Sequence, residues 1–214
     1  MDVVAKASNL GDYYETFHAA RNKTGTVAVH ERLAFIVEQT GKGKRVVELG
    51  CRFGSLLELV KEGNEIHGTD IDRNAMRVCE ERLGIRPIPA NLNETLPFED
   101  SHFDVVILSE VLEHLPYPAI TLSEVARILR PSGRIVGSVP NGTRLRNRLR
   151  FMLEGRVEMD PTHLQHYGVE TLTAELQTFF SSIQVRPISS RFLRISPRHF
   201  ANYLLFTAVK PTHG

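Results

Sequence analysis

Apolar residues recur at two different spacings along this chain, and the alternation between them outlines a fold. "TVAVHERLAFIVEQTG" places Val29, Leu33, Ile36 and Val37 at helical spacing and stops at Gly41, a helix terminator. "KRVVEL" follows as a short apolar strand, and the chain is helical again to about Val60. "EIHGTDI" predicts a second strand, "RNAMRVCEERLG" a helix ending at Gly84, and "IRPIPA" a weaker third strand. "FDVVILS" is continuous and β-branched, as a strand covered on both faces should be. "AITLSEVARILRPSG" predicts a helix closed by Pro131 and Gly133, and "RIVGSVP" a fifth strand.

Five strands alternating with helices imply a parallel, doubly wound sheet with right-handed crossovers. After Asn141 the alternation breaks, because "NGTRLRNRLRFMLEGRVEMDPTHLQHY" follows neither period and reads as an insertion. A helix over "VETLTAELQTFF" and strands "SIQVRPI" and "NYLLFTAVK" complete the chain. With no helix between them, the last two strands predict a hairpin-like pair, one strand running antiparallel at or near the sheet edge. The expected organisation is a single α/β domain over residues 1–214. It divides into an N-terminal helical cover (1–43), a core (44–140), an insertion or lid (141–167), and a C-terminal helix with its strand pair (168–214).

Composition narrows the partners. Apolar residues make up 42% of the chain, charged residues 24%, and the formal charge is +1, so no global field favours nucleic acid or an acidic membrane. Two cysteines, Cys51 and Cys79, fit a reducing compartment better than a disulfide framework. "MDVVAKASNL" lacks the basic start and apolar run of a signal peptide, and no apolar run reaches membrane-spanning length. The expectation is a cytoplasmic protein with a small-molecule partner, of undetermined oligomeric state.

Chemistry enters at "ELGCRFGSLLEL", a strand end, a tight loop and a helix start. In an open α/β sheet ligands bind beyond the carboxyl ends of the strands. Asp70 ends the second strand 20 residues after Gly50, where an acid can accept from both ribose hydroxyls. A dinucleotide loop also demands three glycines so that the backbone can approach a pyrophosphate. Here those positions are Gly50, Arg52 and Ser55, so the pattern fails twice. A ligand with ribose and adenine but no phosphate relaxes the demand. S-adenosylmethionine is such a ligand, and Glu48 suits its ammonium.

"VVELGCRFG", "GTDID", "ANLNETLPFEDSHFDVVILSEVLEHL" and "ILRPSGRIVGSVPN", in this order, resemble the class I, Rossmann-like methyltransferases of the methyltransferase-11/12/23 type. The likeness runs from about Arg45 to Asn141 and more loosely to the C-terminus. It implies S-adenosylmethionine as cofactor and a mostly parallel seven-stranded sheet with its last strand antiparallel and helices on both faces. By position it also implies that Glu48, Gly50, Cys51 and Gly54 form the cofactor loop and that Asp70 is the ribose acid. Ile71 and Leu92 would pack on adenine, Asn91 would meet its amino group, and Ser109 would stand beside the reacting methyl. Two residues depart from the family pattern. Asn91 replaces the commoner aspartate but can still accept through its carbonyl. Arg52 replaces the middle glycine and is expected to turn outward or to pair with the methionine carboxylate.

On the acceptor side, "SEVLEHL" offers Glu110, Glu113 and His114, which share one face if the turn is helical. With His163 or His166 from "DPTHLQHY" they could hold a divalent cation such as Mg²⁺, Mn²⁺ or Zn²⁺. The Glu-x-x-Glu-His arrangement is similar to that of metal-assisted ubiquinone-pathway O-methyltransferases and small-RNA 2′-O-methyltransferases. His114 and His163 are the candidate catalytic residues. A plain structural role also fits, with the glutamates capping a helix and the histidine lining the pocket. Near the N-terminus Tyr13, Tyr14 and Arg21 could meet the cofactor carboxylate, or belong to an ordinary packing helix. "RLRNRLR" sets four arginines in seven residues. It reads as a phosphate-binding patch or, more simply, as the solvated face of a helix whose Leu145, Leu149 and Met152 pack inward. The leading reading is methyl transfer to an oxygen of a small or glycosylated metabolite. An RNA terminus or phosphorylated carrier, and a non-catalytic binding protein of this fold, are the alternatives.

Overall fold

A computed structural model describes residues 27–155, 160–188 and 195–212. Tyr13, Tyr14 and Arg21 lie outside the described residues. Seven strands form one sheet: β1 (Arg45–Leu49), β2 (Glu65–Asp70), β3 (Ile88–Pro89), β4 (Phe103–Ser109), β5 (Leu129–Pro140), β6 (Ser181–Ile188) and β7 (Tyr203–Val209). Their order is β3-β2-β1-β4-β5-β7-β6. β1 to β5 run parallel, and β7 pairs antiparallel with both β5 and β6. The antiparallel strand therefore sits one place in from the edge that β6 forms. The strand order reverses between β1 and β4, which opens a crevice beyond their carboxyl ends.

Among the described residues the helices are α1 (Val27–Thr40), α2 (Ser55–Val60), α3 (Arg73–Leu83), α4 (Pro118–Ile128), α5 (Leu145–Glu154), α6 (Val169–Gln177) and a single turn, α7 (Pro197–Phe200). Successive residues of the central strands face opposite layers. Val105 and Ile107 join Ile36, Leu57 and Cys79 on one side of the sheet. Val106 and Leu108 join Leu122, Val125 and Leu172 on the other. Local signals set the ends of the helices. Asp72 caps α3 by accepting from the Ala75 N–H at 2.9 Å, and Gly84 closes it at φ +67°.

Four sequence expectations are corrected. The helix before β5 stops at Ile128, short of Pro131 and Gly133. Leu129 there becomes a buried strand residue paired with Phe103, and the residue before a proline is disfavoured in helical geometry. β6 and β7 do have a helix between them, the one-turn α7, too short to carry a periodic signal. Val37 is exposed although Ile36 is fully buried, so α1 presents a narrower apolar face than its spacing suggests. Leu145, Leu149 and Met152 also point out of the protein. Among the described residues no helix is long and apolar enough to cross a membrane.

Gly137 marks the tightest point of the sheet. A Cβ there would meet the Leu108 carbonyl and the Phe206 ring. Gly137→Ala is expected to lower the unfolding free energy by about 1–3 kcal/mol. A fall in the urea midpoint with an unchanged m-value would show it.

Candidate active site

The carboxyl ends of β1, β2, β4 and β5 open onto one cleft of about 1130 Å³. Glu48, Gly50, Cys51, Asp70, Ile71, Asn91, Leu92 and Ser109 all line it, as do Glu110, Glu113, His114 and His163. Gly54 is buried behind the loop. Its φ is +70°, and an added Cβ would press on Cys79 Sγ at 2.6 Å and Leu83 Cδ1 at 2.7 Å.

Asp70 organises the loop. Its Oδ2 accepts from the Arg52 N–H at 2.9 Å and its Oδ1 from the Asp72 N–H at 2.8 Å. Each carboxylate oxygen can accept a further bond. The Gly50 and Cys51 N–H groups both donate to the Thr69 carbonyl, at 2.8 and 3.0 Å, which ties the loop to β2. Arg52 adopts φ +45°, the left-handed conformation that glycine would take without strain. For a non-glycine residue this costs about 1–2 kcal/mol, and the bond from its N–H to Asp70 offsets part of it. The Arg52 guanidinium lies over the exposed Phe53 ring, 4.9 Å from its centroid. Arg52→Gly should therefore leave the loop intact and keep affinity for S-adenosylmethionine, the ligand expected here, within about threefold, which is inside the usual scatter of surface changes. A titration comparing the two proteins checks it.

Glu48 is buried, and its Oε2 has no hydrogen-bond partner. Burial pushes its carboxyl well above the usual range; the nearby Asp70 charge adds to this, and the Leu57 N–H opposes it. A carboxyl raised in this way holds its proton in the folded chain after the unfolded chain has released it. The stability it contributes is present at low pH and is lost as pH rises through the raised value. The ligand-free protein should accordingly lose unfolding free energy as pH rises above the usual carboxylate range. Glu48→Gln should flatten that slope, as urea melts at several pH values would show. An ammonium is the natural partner for the unpaired oxygen.

Asn91 holds the turn after β3. Its carbonyl accepts from the Asn93 N–H at 3.1 Å and the Asn93 side-chain amide at 3.0 Å. Ile71 and Leu92 are half-buried apolar wall. Ser138 donates to Glu110 Oε1 at 2.8 Å, so its single proton is committed, and Ser109 must donate to Ser138 across 2.9 Å.

Beyond Ser109 the backbone reverses at Glu110, φ +57°, before a short 3₁₀ turn over Leu112–His114. Glu110, Glu113 and His114 are therefore not on one continuous helical face, as the spacing suggested. Glu110 Oε2 faces Arg32 of α1 at 3.3 Å. The Arg32 guanidinium lies 5.7 Å from the centre of the Tyr203 ring. Glu113 is 1% exposed, and neither of its carboxylate oxygens has a hydrogen-bond partner. Burial drives its carboxyl well above the usual range, and the charges of Glu110 and Asp160 push the same way.

His114 Nδ1 lies 3.1 Å from the Thr162 carbonyl. A carbonyl only accepts, so Nδ1 donates to it, and Nε2 lies 4.0 Å from Glu113 Oε1. The His163 ring meets His114 edge-on at 4.9 Å, and its Nε2 is 3.5 Å from Asp160 Oδ2. Asp160 Oδ1 accepts from the Thr162 N–H at 3.1 Å and the Thr162 hydroxyl at 2.7 Å. The insertion is fastened here as well, because Leu164 and Gln165 donate their N–H groups to the Glu113 carbonyl at 2.7 and 3.0 Å. One ligand atom from each of Glu113, His114 and His163 falls within 4.8 Å of the others. Glu110 and the exposed His166 are outside that set.

Arg32, Ser138 and Asp160 join the site without having been anticipated. Arg32 sits inside a helical apolar pattern with no motif around it, and Ser138 lies in "ILRPSGRIVGSVPN", a stretch read only as a strand. Asp160 did carry a signal, as an acid three residues before His163 in "DPTH".

Comparison with known proteins identifies the family. Residues 47–137 match the methyltransferase-11 family, a methyltransferase domain. The ubiquinone biosynthesis O-methyltransferase of Ralstonia nicotianae is 30% identical over 166 residues, covering 72% of this chain and 68% of that protein. The protein of the same name from Alkalilimnicola ehrlichii is 30% identical over 120 residues, covering 51% of this chain and about half, 48%, of that one. Among solved structures, a SAM-dependent methyltransferase from Archaeoglobus fulgidus superimposes with a TM-score of 0.70 at 24% identity, covering 92% of this chain and all of that one. With these matches, the chain belongs to the class I, Rossmann-like S-adenosylmethionine-dependent methyltransferases, and is an enzyme of that class.

Proposed function

We propose that this enzyme methylates an oxygen of a small-molecule acceptor, and that the acceptor hydroxyl is activated at Glu113, His114 and His163. The observation that carries the reading is the Glu113 carboxylate, deeply buried and unpartnered in the same cleft as the cofactor loop. An isolated buried carboxylate is costly, so it marks a place where a proton or cation is meant to sit. The names of the relatives, which are O-methyltransferases of ubiquinone biosynthesis, support oxygen as the acceptor atom.

Glu48 and Asp70 suit the ammonium and ribose of S-adenosylmethionine, whose sulfonium supplies an electrophilic methyl and leaves as a neutral thioether. The chain's remaining task is to orient the acceptor and take up its proton. Glu113, His114 and His163 together form a carboxylate–imidazole–imidazole set of the kind that holds a catalytic divalent cation with an open position. Such a cation would lower the pKa of a hydroxyl placed on it. The second reading rests on the His114 tautomer. With Nδ1–H fixed on Thr162, Nε2 can take the acceptor's proton directly, and Glu113 would stabilise the resulting imidazolium.

Chelation separates the two. The cation reading predicts that activity disappears after exhaustive chelation and returns when a divalent metal is added back. Full retention of activity would remove the cation and leave His114 as the base.

A further inference from the structure

We propose that α5 is an interfacial helix that docks the enzyme on an anionic lipid bilayer. The proposal does not depend on which acceptor the enzyme uses. At about 100° per residue, Met152, Leu145, Leu149 and Leu153 fall side by side around α5 in one stripe roughly 100° wide. That stripe faces outward. Leu149 is 48% exposed, Met152 78% and Leu153 84%. On the opposite side Asn147 is fully buried, and its amide donates to the Gly142 carbonyl at 3.1 Å. The helix thus turns a polar residue to the protein and the apolar stripe to solvent, and Phe151, outside the stripe, is exposed as well.

Arginines border the stripe on both sides, Arg148 along one edge and Arg146 and Arg150 along the other. Glu154, the helix's one acid, lies at its end on the Asn147 side. The near-neutral charge of the whole chain conceals this local patch. Polar contacts fasten the helix to the body. The Arg144 guanidinium donates to Asn202 Oδ1 at 2.7 Å and to Asn147 Oδ1 at 3.3 Å, and Arg148 Nε donates to the Thr143 carbonyl at 2.7 Å.

An apolar stripe flanked by guanidiniums matches the acyl boundary and anionic headgroups of a bilayer. A second copy of the chain fits poorly, because a two-fold contact would set arginines against arginines.

The chain contains no tryptophan, so Met152→Trp gives a single reporter at the centre of the stripe. Its emission should shift to the blue with phosphatidylglycerol–phosphatidylcholine vesicles and stay unchanged with phosphatidylcholine alone. Unmodified protein should co-sediment with the anionic vesicles and be released by salt. Leu149→Ser/Leu153→Ser should bind roughly tenfold more weakly or worse while melting at the same temperature, since both leucines are exposed. The proposal is overturned if the unmodified protein stays in the supernatant with anionic vesicles, or if it binds neutral and anionic vesicles alike. Undiminished binding of the double variant would overturn it too, as would a vesicle-free dimer that the double variant dissolves, which would assign the stripe to a second copy.

Discussion

Asp70→Asn is expected to weaken S-adenosylmethionine binding by about two orders of magnitude, the loss of roughly 3 kcal/mol. The cause is geometric. Both Asp70 oxygens already face backbone N–H groups, those of Arg52 and Asp72. An asparagine must turn its NH₂ toward one of them, setting donor against donor. It also forfeits the charge that strengthens bonds from ribose hydroxyls. Because Asp70 is buried, with its carboxyl raised by desolvation, its loss removes a strained charge from the ligand-free protein. The melting temperature without ligand should change little while the stabilisation given by ligand collapses. Thermal melts with and without the nucleoside separate the two effects. Equal ligand shifts in both proteins would remove Asp70 from the cofactor site.

The second large effect is on turnover. Glu113→Gln keeps the shape of the side chain and removes its capacity to ionise or to hold a cation. It should lower kcat by about 10² to 10⁴, the range that positioned proton-transfer groups contribute, with cofactor affinity nearly unchanged. Glu113 spends no hydrogen bond on the fold through its side chain; its backbone carbonyl, which the substitution keeps, is what holds Leu164 and Gln165. A merely structural Glu113 would show the reverse, an altered melt with kcat preserved. His114→Ala should give a loss of similar size, and the double variant should lose little more than either single one if the two act as a unit.

Much of the sheet, and the gathering of Glu48, Gly50 and Asp70 at one cleft, were legible in the sequence for a physical reason. Strands buried on both faces, such as "FDVVILS", and a loop that needs glycine at positive φ constrain residue type strongly. Gly50, Gly54 and Asp70 therefore announce their places. Arg52, which departs from the glycine pattern, was expected to turn outward or to pair with a carboxylate. In the structure its backbone does the work of the missing glycine and its guanidinium lies over Phe53.

The acceptor half was only partly legible. Glu113, His114 and His163 were recognised as chemistry-bearing residues. The positive φ of Glu110 broke the helical face on which the spacing placed it, and the pairing partner Arg32 comes from 78 residues earlier in the chain, which no local pattern encodes. α5 shows a further limit. Periodicity identifies an apolar stripe but not which way it faces, and burial of Asn147, a tertiary fact, turned the stripe outward.

Calorimetric titration of the purified chain with S-adenosylmethionine is the most direct test of a cofactor cleft organised by Glu48 and Asp70. Saturable binding of one nucleoside per chain, competed by S-adenosylhomocysteine and lost in Asp70→Asn, is the predicted result. No measurable binding to the unmodified protein, in a sample shown to be folded, would contradict it.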